Sequence, residues 1–301
     1  MDRFEQEAAE ALAIRRTLGP YARAILVKTP QGNFAVPVED LYVGQELRFK
    51  GSYSEHELQF LRSVCNSGTR LLIVGAHVGA LAIPLAKICR SAVAIEANPQ
   101  TFELLQFNVS LNGLKNCRAI NKAASNRAEP IEFVMSRANT GGSKRKPVVP
   151  MPFYFRDNPD VVMVQADRLD DLLPGESFDV ILIDIEGSEY FALQGMQRLL
   201  ASAALVQIEF IPHHLRNVAA VSVADFVALM SPHFPTLCIP SKKMAVPRDQ
   251  FVSILSEMFE RDEGDGGLIF AKIPPDQVRF ETIRPAEVNP KSPGPPAPPP
   301  A

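Results

Sequence analysis

Short apolar runs alternate with amphipathic stretches along most of this chain. The runs at residues 71–74, 92–96 and 178–184 are almost wholly apolar, as is typical of strands buried on both faces of a parallel sheet. Stretches with helical spacing lie between and after them, and we expect helices at residues 80–89, 98–112, 188–200, 222–230 and 249–260. Further strands are expected at residues 117–121, 204–210 and 268–272. The alternation predicts a doubly wound α/β fold.

The first 50 residues have a different pattern. Apolar positions among charges predict a helix at residues 3–18, and two alternating runs around a Pro-Gln-Gly-Asn turn predict a hairpin at residues 24–38. A capping-box pattern at Ser54 and Glu57 predicts a helix at residues 54–64. We therefore divide the chain into an N-terminal helix and hairpin extension, a main domain and a proline-rich tail, at residues 1–50, 51–273 and 274–301.

Composition and charge bound the function only broadly. The chain has 301 residues, of which 46% are hydrophobic, and a net charge of -3, so neither nucleic acid nor an anionic membrane is expected as a partner. Its four cysteines are scattered and indicate ordinary buried thiols. Neither a leader nor a membrane span is predicted, and we expect a cytoplasmic protein. The tail is too rich in proline to form a core and is expected to be disordered.

The strongest chemical signal is the run L-L-I-V-G-A-H-V-G at residues 71–79 together with Glu96. Glycines after a strand let the backbone approach a ligand closely, and Glu96 ends the next apolar run, where a carboxylate accepts hydrogen bonds from a ribose. The spacing G-x-x-x-G differs from the G-x-G-x-x-G of dinucleotide folds. This segment alone fits a nucleoside-containing cofactor and an ordinary buried strand with a tight turn equally well.

Residues 132–156 interrupt the alternation and contain the polar run N-T-G-G-S-K-R-K. An insertion between the third and fourth main strands is more typical of an active-site loop than of core. Within it, Lys144 and Lys146 are typical of a solvated turn, with a phosphate on a substrate as the alternative partner.

Four ordered motifs carry a family resemblance: I-V-G-A-H-V-G at 73–79, I-E-A-N-P at 95–99, L-D-D-L-L at 169–173 and F-D-V-I-L-I-D-I-E-G-S-E at 178–189. Together with G-S-Y-S-E-H-E at 51–57, they resemble the FkbM-type S-adenosylmethionine-dependent methyltransferases of class I. The resemblance implies a Rossmann-like, mostly parallel seven-stranded sheet with a reversed last strand. It also implies S-adenosylmethionine as cofactor and a hydroxyl group of a sugar or polyketide-type product as acceptor.

The resemblance assigns site residues by position. Gly75, Ala76, His77 and Gly79 would line the methionine end of the cofactor, Glu96 would hold the ribose, and Asp184 would close the site near the methyl group. The remaining cofactor positions that it implies are Tyr53, Ala97, Asn98, Asn121 and Ala123. Two positions depart from the family pattern, because Ile73 replaces an acidic residue and His77 an asparagine. We expect His77 to take over part of the contact with the amino-acid end of the cofactor.

Methylation of an alcohol needs a general base or a metal, because an alcohol is a poor nucleophile at neutral pH. Apolar strands deliver Asp184 and Glu209 to the edge of the sheet where ligands bind in open α/β folds, and His213 follows in a loop. We predict these three as the catalytic residues, from a pool that also holds Glu186 and His214. Glu189 fits better as a helix-capping carboxylate. Mg²⁺ on Asp184 and Glu209 is an alternative that we do not adopt.

The sequence thus predicts an O-methyltransferase that acts on a hydroxylated small molecule. Two alternatives stay open: a scaffold or binding protein that kept the fold without turnover and uses the proline-rich tail, and an NAD-dependent oxidoreductase. Ile73 and the tail favour the first alternative, whereas the absent G-x-G-x-x-G pattern disfavours the second.

Overall fold

The computed structural model describes residues 3–278, with side chains described from residue 5 onward. All but the first five residues of the predicted tail therefore lie outside the described residues. The strands are β1 (Ala24–Lys28), β2 (Asn33–Pro37), β3 (Arg70–Val74), β4 (Ser91–Glu96), β5 (Cys117–Asn121), β6 (Ala123–Ala124), β7 (Pro130–Met135), β8 (Lys144–Arg145), β9 (Asp160–Asp167), β10 (Val180–Ile183), β11 (Leu205–Phe210), β12 (Thr236–Ile239), β13 (Met244–Pro247) and β14 (Asp265–Ala271). The helices are α1 (Arg3–Leu18), α2 (Val43–Phe49), α3 (Glu55–Val64), α4 (Ala82–Ala86), α5 (Pro99–Leu111), α6 (Leu169–Leu172), α7 (Glu189–Gln194), α8 (Gln197–Ser202), α9 (Val223–Met230) and α10 (Phe251–Glu260).

One large sheet has the strand order β13-β12-β14-β11-β10-β3-β4-β5. The neighbours from β11 to β5 pair in parallel, whereas β14 runs antiparallel to both β11 and β12, and β13 runs antiparallel to β12. The predicted α/β fold is confirmed, and β14, the last strand along the chain, runs antiparallel as expected. The predicted number of seven strands is wrong, because the sheet has eight. The eighth is β13, which forms a hairpin with β12 after a short turn at residues 240–242.

Two predicted helices are shorter than their apolar spacing indicated. The segment at residues 80–89 holds only the five-residue α4, with Pro84 inside it, and proline interrupts helical hydrogen bonding. The segment at residues 188–200 is divided into α7 and α8 at Gly195. A Cβ on Gly195 would lie 2.0 Å from the backbone oxygen of Ser125, so another segment of chain passes directly against this break.

The predicted insertion at residues 132–156 is not only a loop. Together with the flanking residues it forms a second, four-stranded sheet in the order β6-β9-β7-β8. Strand β7 pairs antiparallel with β9 over six residue pairs, from Pro130↔Gln165 to Met135↔Asp160. The sequence of β9 does not alternate between apolar and polar residues, because the apolar Val161 and Met163 occupy exposed positions. The small sheet places the short turn at residues 140–142 beside the carboxyl ends of the main strands.

The large sheet is covered on both faces. One apolar cluster includes Phe178, Phe226 and Phe270, and the other includes Leu58, Leu71 and Ile83. The N-terminal hairpin joins the second cluster. It is also held by α5, because Asn108 donates to Ala35 O at 3.0 Å and accepts from Ala35 N at 2.6 Å. No helix within residues 3–278 is long and apolar enough to span a membrane.

Candidate functional site

The turn after β3 brings the backbone of two strands together. Gly75 has φ +91°, and a Cβ there would lie 1.8 Å from the backbone oxygen of Asp184 at the end of β10. Only glycine fits such an approach. His77, two residues later, also has a left-handed backbone, with φ 51°. The amides of Gly75 and Ala76 both donate to Ile95 O at 2.9 Å, so the turn is held in a fixed arrangement at the carboxyl edge of the sheet.

Glu96 ends β4 beside this turn and is almost completely buried. Its carboxylate accepts hydrogen bonds from the His77 amide at 2.7 Å, from the Asn98 amide at 2.8 Å and from the Thr101 hydroxyl at 3.1 Å. Burial raises the pKa of Glu96, and these hydrogen bonds oppose the increase. A hydrogen bond from the Ala97 backbone opposes the increase as well, so four groups hold the carboxylate in one orientation.

The short turn at residues 140–142 crosses in front of this carboxylate. The Thr140 hydroxyl lies 2.7 Å from His77 Nε2 and donates to the Asp40 carboxylate. Asp40 is fully buried, and its other oxygen accepts from the amides of Tyr42 and Gly44. The chain Asp40–Thr140–His77 thus fastens the insertion, the N-terminal extension and the β3 turn to one another.

Two cavities lie on either side of the β3 turn. We call the first the Glu96 cavity. It is lined by backbone and polar groups of the turn and of the insertion, and by apolar side chains of the small sheet: Gly75, His77, Glu96, Ala97, Ala123, Ala124, Ile131, Phe133, Thr140, Gly141, Ser143, Asp184, Ile185 and Ser188. An acidic floor beside apolar walls suits a ribose that is attached to a flat, apolar-faced base.

We call the second the Glu57 cavity. Its wall combines the strand ends with the N-terminal elements: Val43, Tyr53, Glu57, Ile73, Val74, Gly75, Ala76, His77, Ala80, Leu81, Gly141, Leu182, Ile183, Asp184, Gln207 and Gly266. The two cavities share four residues: Gly75, His77, Gly141 and Asp184. One elongated molecule could therefore occupy both by passing the turn.

Carboxylates gather where β10 and β11 end. The register pairs Ile183 with Ile208, so Asp184 and Glu209 follow on neighbouring strands. Glu189 is buried in the first turn of α7 and accepts from the Ile185 amide at 2.9 Å. Its pKa is well above the ordinary value, because it is buried and because Glu209 and Asp184 repel its charge. Glu189 thus lies beside two further acidic side chains at the edge of the sheet, which favour its protonated form.

A second polar cluster lies just behind them. His214 Nδ1 is 3.2 Å from Glu209 Oε2, and His214 Nε2 is 3.5 Å from Glu186 Oε2. Lys144 Nζ lies 3.2 Å from the same Glu186 oxygen, and all four side chains are at least nine-tenths buried. Lys144 is therefore part of the site and not of a solvated turn. Glu186 has a left-handed backbone, with φ 56°.

Glu186, Glu209 and His214 offer ligand atoms within 4.8 Å of one another, as a bound metal would require. The ammonium of Lys144 already pairs with Glu186, so this carboxylate has a positively charged partner within the protein. Asp184, which the sequence offered as a magnesium ligand, is not in this group.

The family of the chain follows from its sequence. Residues 74–261 match the model of the methyltransferase FkbM domain, which is more than half of the chain. The chain belongs to the FkbM methyltransferase family. The predicted family is confirmed, and S-adenosylmethionine is its cofactor. No curated protein matches the chain.

Several solved structures are similar to this FkbM domain. A T. thermophilus 16S rRNA N2 G1207 methyltransferase in complex with AdoMet and guanosine has 14% identity and a TM-score of 0.42, with 83% of this chain and 50% of that chain covered. A TehB-like SAM-dependent methyltransferase from Corynebacterium glutamicum has 11% identity and a TM-score of 0.42, with 76% and 94% covered. M. jannaschii TYW2 in complex with AdoMet has 16% identity and a TM-score of 0.36, with 63% and 64% covered. The chain thus spans half of the first protein and just under two thirds of the third, and likenesses this distant carry no functional argument.

Most predicted cofactor positions of the FkbM domain lie at the two cavities. Tyr53 and Ala76 line the Glu57 cavity, Glu96, Ala97 and Ala123 line the Glu96 cavity, and the residues common to both include Gly75, His77 and Asp184. The geometry also fits the cofactor, because a buried carboxylate, Glu96, lies beside the apolar Ile131 and Phe133 in one cavity, and the second cavity shares Gly75, His77 and Asp184 with it.

Three predicted positions line neither cavity. Gly79 has φ +91° and packs against Leu105 and Ile83, so its glycine is explained by the fold. Asn98 caps α5 by accepting from the Gln100 amide at 3.0 Å. Asn121 donates to Glu96 O at 2.8 Å and so supports the end of β4.

The insertion and the N-terminal extension supply site residues that the sequence did not reveal. Phe133 and Thr140 come from the insertion and Ile131 directly precedes it, whereas Gln207 lies inside a strand that reads as core. Glu57 ends the stretch G-S-Y-S-E-H-E at 51–57, which carried part of the family resemblance, although its capping-box pattern pointed to a structural role.

The predicted base His213 is placed less favourably than Asp184 and Glu209. Its ring is buried against Tyr154, whose hydroxyl lies 3.0 Å from His213 Nδ1. Burial, together with the nearby His214 and Lys144, lowers the pKa of His213 to about 2. Such a histidine is neutral and a weak base at neutral pH. Neither cavity includes it.

Proposed function

We propose that this protein is an S-adenosylmethionine-dependent O-methyltransferase that acts on a hydroxyl of a small molecule, a sugar or a glycosylated or polyketide-type product. The observation that carries the proposal is the pair of cavities joined at Gly75, His77 and Asp184, with a buried carboxylate in the first. An elongated cofactor with a ribose at one end and an amino acid at the other matches this arrangement.

Each part of the cleft has a role. The carboxylate of Glu96, which lines the cavity, accepts a hydrogen bond from a ribose hydroxyl, and the apolar side chains of Ile131 and Phe133 cover the faces of the base. Gly75 keeps the backbone close to the ligand, and Thr140 closes the cleft from the insertion. Because Asp184 belongs to both cavities, it lies where the two halves of the cofactor meet.

In S-adenosylmethionine the methyl group is bonded to a positively charged sulfur. When an acceptor oxygen takes the methyl group, the sulfur leaves as a neutral thioether. Asp184 is exposed at the edge of the sheet, and we propose that it is the general base that accepts the proton of the acceptor hydroxyl. Glu209 lies on the neighbouring strand and favours this proton transfer, because a second carboxylate nearby raises the proton affinity of Asp184. Most of the remaining rate enhancement comes from orientation of the acceptor.

The acceptor is assigned to a third cavity, on the far side of the turn at residues 140–142. It is lined by aromatic and charged side chains that include Tyr42, Lys144, Tyr154, Arg156 and Glu186. Aromatic faces beside hydrogen-bonding groups of both charges suit an uncharged, polyhydroxylated molecule. This composition is why we favour a sugar-containing acceptor over nucleic acid, which a mainly basic surface would recognise.

Calorimetry with S-adenosylhomocysteine and NAD tests the cofactor. The acceptor is tested by methyl transfer from radiolabelled S-adenosylmethionine to a panel of glycans, glycosides, polyketides and RNA. We expect S-adenosylhomocysteine to bind, NAD to give no heat, and label to enter hydroxylated small molecules. Binding without transfer to any acceptor would favour the scaffold alternative, and transfer to RNA alone would overturn the acceptor class.

The base is tested with Asp184→Asn. We expect kcat to fall by ~10²–10⁴-fold, the usual contribution of a general base, with a smaller change in the dissociation constant of S-adenosylhomocysteine. Asp249→Asn is the matched control, because Asp249 is exposed and distant from the cavities. If Glu209→Gln abolishes turnover while Asp184→Asn keeps it, the proton goes to Glu209 instead.

A further inference from the structure

The Glu57 cavity lacks the acidic side chain that the family pattern places at the end of the first main strand. Ile73 occupies that position, is buried in β3 and contributes an apolar surface to the cavity. An α-ammonium group brought into this space needs acceptors from another element, because a buried charge without partners is strongly unfavourable.

Glu57 provides a carboxylate at the same cavity. It lies in the first turn of α3, and its Oε2 accepts from the Ser54 hydroxyl at 2.7 Å. Its Oε1 accepts from Gln207 Nε2 at 2.5 Å. These bonds hold the carboxylate in one orientation on the cavity wall, facing the strand that carries Gln207.

Gln207 adds an independent observation. Its side chain is 5% exposed, and within the described part of the chain its Oε1 has no hydrogen-bond partner. The bond from Nε2 to Glu57 fixes the orientation of the amide, since the reverse orientation would direct Oε1 at the carboxylate. A buried acceptor of this kind is unfavourable unless a ligand satisfies it.

The neighbouring strand makes room for this amide. A Cβ on Gly267 in β14 would lie 2.8 Å from Gln207 Nε2, so glycine is needed for the amide to occupy its place. The ring of His77, the substitute that the sequence suggested, is engaged with Thr140 and Asp40 on the side of the insertion. Glu57 and Gln207 are therefore the better placed acceptors.

We infer that the carboxylate of Glu57 and Oε1 of Gln207 together receive the α-ammonium group of the methionine part of the cofactor, in place of the acid missing at Ile73. An ammonium group has three N–H donors and no acceptor, which matches a carboxylate beside an amide oxygen. The inference rests on the proposed cofactor and assigns new residues to its amino-acid end.

Two ligands separate this contact from the rest of the site. S-adenosylhomocysteine carries the amino-acid part, whereas 5′-methylthioadenosine has the same nucleoside and thioether without it. By calorimetry we expect Glu57→Gln to weaken S-adenosylhomocysteine by ~10–100-fold and 5′-methylthioadenosine by less than ~2-fold. Glu55→Gln, on the same helix but at neither cavity, should leave both affinities unchanged. Ile73→Asp in the Glu57→Gln background should recover part of the lost affinity.

The outcomes distinguish the inference from the proposed function. If the wild-type protein binds neither ligand, the cofactor assignment fails. If Glu57→Gln weakens both ligands equally, or neither, the inference is overturned while the cofactor assignment stands. Should Glu57→Gln not fold, the wild-type protein supplies the test: an S-adenosylhomocysteine analogue without the α-amino group must bind ~10–100-fold more weakly, and equal binding overturns the inference.

Discussion

Two side-chain-bearing residues at the site adopt a left-handed backbone, His77 with φ 51° and Glu186 with φ 56°. Such a conformation costs on the order of 1–3 kcal/mol for a residue other than glycine, and histidine and asparagine tolerate it better than most. The family pattern has asparagine where this chain has His77, so both residues suit the same turn. In each case the conformation directs a side chain into a polar cluster that crosses between elements.

Glu96 accepts hydrogen bonds that stabilise the fold and is also the proposed ribose contact, so its variants need a control for folding. We expect Glu96→Gln to lower the free energy of unfolding by about 1–3 kcal/mol, because one buried donor loses its acceptor. Loss of the charged ribose contact should weaken S-adenosylhomocysteine by about 1.5–3 kcal/mol, or ~10–150-fold. Denaturant unfolding and calorimetry measure the two effects.

The matched control is Thr101→Val, which removes the hydroxyl donor to Glu96 at 3.1 Å and leaves the carboxylate in place. We expect it to destabilise the fold with little change in affinity. If Thr101→Val weakened the ligand as much as Glu96→Gln, the ribose assignment of Glu96 would be wrong.

At the scale of elements, the site depends on how the β3 turn meets the end of β10. The parallel register pairs Val74 with Ile183, and the next residues on both strands are Gly75 and Asp184. The insertion adds the turn at residues 140–142, which is held to the β3 turn through Thr140 and His77. The cleft therefore forms where three separate segments meet.

Gly75→Ala tests this meeting of strands. The added Cβ would collide with the backbone oxygen of Asp184, and backbone has little freedom to move. Gly113→Ala is the control, because Gly113 also has a positive φ, +66°, but nothing lies within 4 Å of its Cβ position. We expect Gly113→Ala to cost about 1–2 kcal/mol in unfolding experiments, and Gly75→Ala to cost clearly more and to abolish ligand binding. Equal losses would show that the close approach is unimportant.

At the scale of the molecule, the large sheet separates two apolar cores and carries its polar groups at one edge. Burying carboxylates at that edge links stability to pH. The pKa of Glu189 is raised in the folded protein by burial and by its acidic neighbours, so its proton is bound more tightly there than in the unfolded chain. The corresponding stability is present below the unfolded pKa and is lost as pH rises through the folded pKa.

Glu189→Gln imitates the protonated carboxyl and keeps an acceptor for the Ile185 amide. We therefore expect the melting temperature of the variant, relative to wild type, to rise steadily as the pH is raised above about 5. Glu260→Gln, at an exposed position on α10, should show no such trend. A pH-independent difference for Glu189→Gln would mean that Glu189 is ionised in the folded protein.

The sequence by itself determined the elements whose pattern is local. The apolar runs located β3, β4 and β10 to within about two residues, and the capping signals located the start of α3 and α5. These signals depend on neighbouring residues alone, since a strand buried on both faces must be apolar throughout. The glycine turn and Glu96 were recognisable because ligand contact at strand ends restricts residue type.

Tertiary structure decided what depends on distant segments. The division between α7 and α8 follows from the backbone at Ser125, which no local pattern around Gly195 reveals. Gln207 reads as one polar residue in an apolar strand, and it becomes a site residue only because α3 places Glu57 against it. Lys144 reads as part of a basic turn, yet its ammonium is buried against Glu186, 42 positions away in the chain. The identity of each residue determines which chemistry its side chain can perform. Its burial and its partners determine its charge state and its function, and both arise from contacts between segments that are far apart in the sequence.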